Sequence, residues 1–177
     1  MTDRTKGLQK RTIAALTTIL LTASLVTHAN AQTLRNDCPD VAQAILDAKK
    51  VHTSERTEWF KAIRITASTK KAIRTTSADP ARTDKERLEA MDRFCASSPE
   101  LRERNNALRR SGAKYIILLD KFILGCPQYW DAIAFAKEQR TLTKTDYNNA
   151  NKLEKDIDTA DNYCANEVEA FRKKATK

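Results

Sequence analysis

The chain is poor in the residues from which catalytic sites are usually built. Of its 177 residues two are histidine and three are glycine. His28 and Gly7 fall in what reads as a leader, so His52 is the one imidazole expected in the mature chain, and Gly112 and Gly125 are its glycines. No Ser/His/Asp order can be assembled around a single histidine, and no glycine-rich phosphate loop is present. His52, within a helical stripe beside Thr53 and Ser54, reads as a structural residue. No CxxC occurs, which removes the usual zinc arrangements, and no CxxCH, which removes covalent haem. No cofactor or metal is expected. The absence of any Asn-x-Ser/Thr sequon fits a bacterial periplasm better than a glycosylating secretory route. After the leader no apolar run is long enough to cross a bilayer. The most apolar stretch, Tyr115–Leu124, is ten residues long and is interrupted by Asp120 and Lys121.

What is present begins with export. Arg4, Lys6, Lys10 and Arg11 form a basic head, residues 12–27 an uncharged apolar run, and Ala29-Asn30-Ala31 a small-x-small cleavage site, so residues 1–31 read as a signal peptide. The remaining residues 32–177 suit a single helical domain. The whole chain has 32 basic and 23 acidic residues; four and one of these lie in the leader, which leaves 28 and 22 and a net charge of +6. In an oxidising compartment the four cysteines, Cys38, Cys95, Cys126 and Cys164, are expected to form two disulfides. The expected location is therefore periplasmic or secreted.

Apolar spacing is helical throughout, and an all-α, disulfide-stapled bundle follows. Val41, Ile45, Ala48, His52, Glu55, Trp59 and Ile63 step by three and four, with a polar middle, and predict a helix over about 39–73. Residues 75–83 read as a loop, after which Thr83 and Glu86 make a capping box. Leu88, Met91, Phe94 and Cys95 would be the buried face of the helix that follows. Ser97-Ser98-Pro99-Glu100 reads as a second helix start, with a helix to Leu124. Gly125 stops it and Pro127 opens a short helix carrying Tyr129, Trp130, Ile133 and Phe135. Residues 141–146 read as a polar break. The last stripe, Ala150, Leu153, Ile157, Ala160, Cys164, Val168 and Phe171, is the most regular.

Two phrases recur. CPDVAQAI at Cys38 is answered by CPQYWDAI at Cys126, and Asp92-Arg-Phe-Cys-Ala-Ser by Asp161-Asn-Tyr-Cys-Ala-Asn. Each pair of phrases suggests a helical hairpin stapled at its open end, giving two hairpin units with bridges Cys38–Cys95 and Cys126–Cys164. The second unit has its midpoint in the expected polar break. The first needs a bend in its long helix, and Cys38–Cys126 with Cys95–Cys164 stays open as the alternative. A helix over most of the intervening residues would hold Cys95 and Cys126 about 35–40 Å apart at 1.5 Å per residue, so that pairing would need a hairpin at Gly112.

Between Glu58 and Asp79 no acid occurs, while Lys61, Arg64, Lys70, Lys71 and Arg74 do, with the tetrapeptide KAIR appearing twice. Arg64 and Lys71, seven residues apart, share a helix face and define a basic strip. Arg102, Arg104, Arg109, Arg110 and Lys114 add cations on a later helix. Such a strip steers acidic partners over roughly 8 Å at physiological salt, and otherwise it is an ordinary solvated face. Nucleic acid is not expected, because no aromatic platform accompanies the cations.

The leading expectation is a non-catalytic exported module that binds an acidic surface of another protein, as an envelope accessory, effector-neutralising or secretion-system component. The alternatives are a binder of an anionic envelope component, glycolipid or lipid, and a hydrolase. For the hydrolase no pair among the 22 acids is marked out by its spacing.

Overall fold

The computed structural model describes residues 38–175. The expected signal peptide and its cleavage point lie outside the described residues. Three long helices dominate: α1, Cys38–Ala78; α2, Asp84–Gly125; and α3, Trp130–Tyr163. A π-helical turn, Cys164–Val168, leads into a short α4, Glu169–Ala175. No strand occurs among the described residues, and both disulfides are formed, so the chain is an all-α, disulfide-stapled bundle. No helix among those residues is long and apolar enough to cross a membrane.

Local chemistry explains the helix ends. Pro39 sits in the first turn of α1, where its missing amide costs nothing, and Asp40 places a negative charge against the helix N-terminus. The turn after α1 is held by Asp79, whose carboxylate accepts from the Ala81 amide at 2.9 Å. Thr83 and Glu86 then close the expected capping box: the Thr83 amide donates to the Glu86 carboxylate at 2.9 Å, and the Glu86 amide to the Thr83 hydroxyl at 3.3 Å. The same Thr83 amide, with Arg82 and the Thr83 hydroxyl, holds the Glu86 carboxyl below its ordinary value.

Two expected breaks are not breaks. Pro99 lies inside α2 rather than at a new start. An interior proline forfeits one backbone hydrogen bond and costs about 3 kcal/mol, but the same helix buries Phe94, Leu101, Asn105 and Leu108 on either side of it. Continuity keeps those residues in register on one face. Residues 141–146 likewise continue α3. Thr141, Thr143 and Thr145 donate their hydroxyls to the carbonyls of Lys137, Gln139 and Thr141, so the polar side chains are satisfied within the helix. α1 also runs to Ala78, past the expected loop start, with Thr75 and Thr76 bonded back to Lys71 and Ala72 in the same way.

The described residues divide into two compact units, and each long helix contributes a segment to both. The first unit comprises 38–52 with Gly112–Thr145. Its core is one apolar cluster, with Ala42, Ile45 and Ala48 from α1, Tyr115, Leu119 and Phe122 from α2, and Ala132 and Ala136 from α3. His52 is buried beside Tyr115, with ring centroids 5.8 Å apart. Gly112 and Thr143 are its neighbours, so one residue of the expected polar break, Thr143, belongs to a buried polar layer.

The second unit comprises Thr53–Ser111 with 146–175. Trp59, Leu108 and Ala150 make one layer of its core, and Ala62, Leu101 and Ile157 make the next. The rising numbers in α1 and α3 against the falling ones in α2 show that α2 runs antiparallel to both here. The regular stripe of α3 faces this core with Ala150 and Ile157 buried, and it continues into the π-helical turn, where Val168 is buried.

The disulfides join Cys38 to Cys126 and Cys95 to Cys164, with Cα separations of 6.0 and 5.6 Å. The stapled-hairpin pairing is therefore corrected. α1 is an unbroken helix with no bend to return Cys95 to Cys38, and α3 has no turn near residue 145 to return Cys164 to Cys126. Instead each phrase is bonded to its own copy. One bridge lies in each unit, the Cys-Pro pair in the first and the aromatic-Cys-Ala pair in the second.

Candidate interaction surface

All five cations of the strip lie on the α1 segment of the second unit and all are exposed. The core face of that segment is formed by Trp59 and Ala62, with Ile63, Thr66 and Ile73 half-buried beside them. In both KAIR copies the isoleucine turns inward and the basic residues outward. Lys61 is paired with Glu58 at 2.6 Å, and that contact, with Arg104 nearby, holds the Glu58 carboxyl below its ordinary value. Arg64, Lys70, Lys71 and Arg74 have no acid within ion-pair distance among the described residues.

Of the α2 cations, Arg104, Arg110 and Lys114 likewise make no ion pair among the described residues, but Arg102 and Arg109 are placed differently. Arg102 donates to Asp158 at 2.7 Å and to Asp161 at 3.0 and 2.7 Å, while Arg109 is paired with Glu154. These pairs tie α2 to α3. Ser98 completes them by donating its hydroxyl to Asp161 at 2.5 Å. Burial alone would raise the Asp161 carboxyl, but Ser98 and Arg102 together outweigh it and hold the group below its ordinary value. Arg56 and Asp146 form a further pair at 2.7 Å. Asn105, 1% exposed, is the polar centre of this unit; it accepts from the Trp59 indole at 3.0 Å and donates to the Ala150 carbonyl at 3.0 Å. Asn105 did not stand out in the sequence, and Ser98 stood out only as part of an expected helix start. Their signal was a small polar residue at a position where the heptad-like spacing around Leu101 and Leu108 calls for an apolar one.

Beside the strip lies a groove of about 310 Å³. Ile73, Phe94, Ala160 and Tyr163 form its apolar walls, and Lys70, Arg74, Asp156 and Thr159 its exposed lip. Phe94 and Tyr163 meet edge to face, with centroids 6.1 Å apart. Each directly precedes a cysteine of the Cys95–Cys164 bridge, so the bridge holds the aromatic wall together. Burial, with Glu167 adding to it, pushes the Tyr163 phenol above its ordinary value.

No protein-family model matches the chain, no curated protein matches it in sequence, and no solved structure matches it in fold. Its function has to be read from its own charge and shape.

Proposed function

We propose that the protein is an exported, non-catalytic helical module that binds an acidic surface of another protein through the α1 strip. One observation carries this reading. Arg102 and Arg109 of α2, together with Arg56, are ion-paired within the chain, whereas Arg64, Lys70, Lys71 and Arg74 stand exposed with no acid within ion-pair distance among the described residues. A rigid helix that leaves four cations unopposed offers a preformed positive face, and a complementary acidic face gains both encounter rate and register from it. Export is supported by the two disulfides, which fit an oxidising compartment, and by the tripartite leader. The non-catalytic part is supported by the single expected histidine, buried beside Tyr115 and Gly112, and by the lack of a carboxylate pair marked out by its spacing.

The test is the double charge reversal Arg64→Glu, Lys71→Glu. Both side chains are exposed and outside the core, so the fold is retained. Capture of one defined protein from envelope extract by the parent, lost in the double variant and weakened as salt rises, is the expected result. Capture that ignores both changes and salt would return the strip to a solvated face.

A further inference from the structure

We infer that the groove in the second unit binds a single-chain amphiphile with an anionic head, of the class of a long-chain carboxylate. Its volume, about 310 Å³, lies at the lower end of small-molecule sites, which span roughly 300–1,000 Å³ and are mostly apolar with a few placed polar groups. An alkyl chain fits the wall made by Ile73, Phe94, Ala160 and Tyr163. At the lip Lys70 and Arg74 present two cations, neither with an ion-pair partner among the described residues, against the single carboxylate of Asp156. A cationic or neutral head would leave those two charges unanswered, whereas a carboxylate head pairs with them and is turned toward α1 by repulsion from Asp156 on α3. Lys70 and Arg74 belong to both the strip and the groove, but Arg64 and Lys71 do not line the groove, so reversing those two tests docking on the strip while leaving the groove's own cations in place.

The experiment is calorimetric titration of the folded, oxidised protein with dodecanoate and decanoate below their micelle concentrations, and with dodecyltrimethylammonium. Dodecanoate is expected to bind saturably at one site and more tightly than decanoate, by about three- to fourfold per methylene. The ammonium amphiphile is expected neither to bind there nor to displace it. Arg74→Glu should weaken dodecanoate by about tenfold, the loss of one charge-assisted contact, and Asp156→Asn should tighten it. Ala160→Trp fills the groove and should abolish binding while circular dichroism keeps its helical form. If that variant does not fold, the exposed Arg74→Glu change still decides the matter. Equal binding of both head charges, or dodecanoate binding unaffected by Arg74→Glu, would overturn the proposal. So would binding lost in Arg64→Glu, Lys71→Glu, which would assign it to the strip. Protein capture that fails while dodecanoate binds would instead count against the docking reading alone.

Discussion

The two units are made from segments of the same three helices, yet they are held by different physics. In the first, Ile45, Leu119 and Phe122 belong to one continuous apolar cluster, sealed at one end by Cys38–Cys126. In the second the apolar layers are small, and the helices are joined by Asn105, by Arg102 with Asp158 and Asp161, and by Arg109 with Glu154. Dispersion and burial tolerate no charge at the contact but ask little of direction, whereas a polar contact demands geometry and leaves neighbouring surface free to carry charge. The first unit has one such ion pair between α2 and α3, Arg140 with Asp120, whereas the second has several and also carries the α1 strip and the groove. A thin core with directional ties can expose a helix face that a thick apolar core would have to cover.

The largest expected effect separates the units by their bridges. For loops of 88 and 69 residues the chain-entropy relation assigns each disulfide about 4.5 kcal/mol. Cys95→Ser with Cys164→Ser should therefore lower the melting temperature as much as Cys38→Ser with Cys126→Ser does. Amide exchange should accelerate first in the second unit, whose apolar clusters are smaller. Equal loss of protection across both units would break the contrast.

Next in size are single core changes. Leu119→Ala, in the first unit, removes a fully buried side chain and should cost about 2–5 kcal/mol. Asn105→Ala leaves the buried Trp59 indole N–H without its acceptor, and should cost about 1–3 kcal/mol. Denaturant melts give both numbers. An Asn105→Ala protein as stable as the parent would show that the second unit does not depend on its polar centre.

The pH limbs should divide in the same way. Burial pushes the Tyr115 phenol up to about 12 from its ordinary 10.0, so the first unit favours the protonated form. Its stabilising contribution is fully present below pH 10 and is lost as pH rises toward 12. Asp161, in the second unit, is held below its ordinary 3.8; its contribution is present above that value and is lost as pH falls through the lowered one. Each unit holds one of the two tryptophans, Trp130 in the first and the buried Trp59 in the second. In a Trp130→Phe protein, acid titration followed by Trp59 fluorescence should move its acid transition to higher pH on Ser98→Ala, with Arg102 still in place, while the absorbance titration of Tyr115 at high pH is unchanged. A Tyr115 that ionises near pH 10 would contradict its burial.

The smallest effect has the opposite sign. A Cβ at Gly112 would meet the His52 ring at 3.5 Å and Thr143 at 3.7 Å, both ordinary contacts. Gly112→Ala should therefore stabilise α2 by up to about 1 kcal/mol through helix propensity. A loss instead would mean that the polar layer around His52 needs the space.

The chain by itself determined what short-range chemistry can determine. Apolar residues at steps of three and four specified helices, Thr83 and Glu86 specified where α2 begins, Gly125 where it ends, and an acid-free run over 59–78 specified an exposed basic face. The Arg102–Asp161 and Trp59–Asn105 contacts join residues 59 and 46 positions apart, and no local pattern marks them. The same holds for the disulfides. The repeated phrases suggested that each cysteine pairs within its own hairpin, but pairing was decided by which helix ends the packed core brings within about 6 Å, and the core brings like phrases together. Pro99 and the threonines at 141–145 read as breaks because their local cost is real. Only the tertiary structure shows that the burial flanking Pro99 and the hydroxyl-to-carbonyl bonds offset that cost, and so keep α2 and α3 whole.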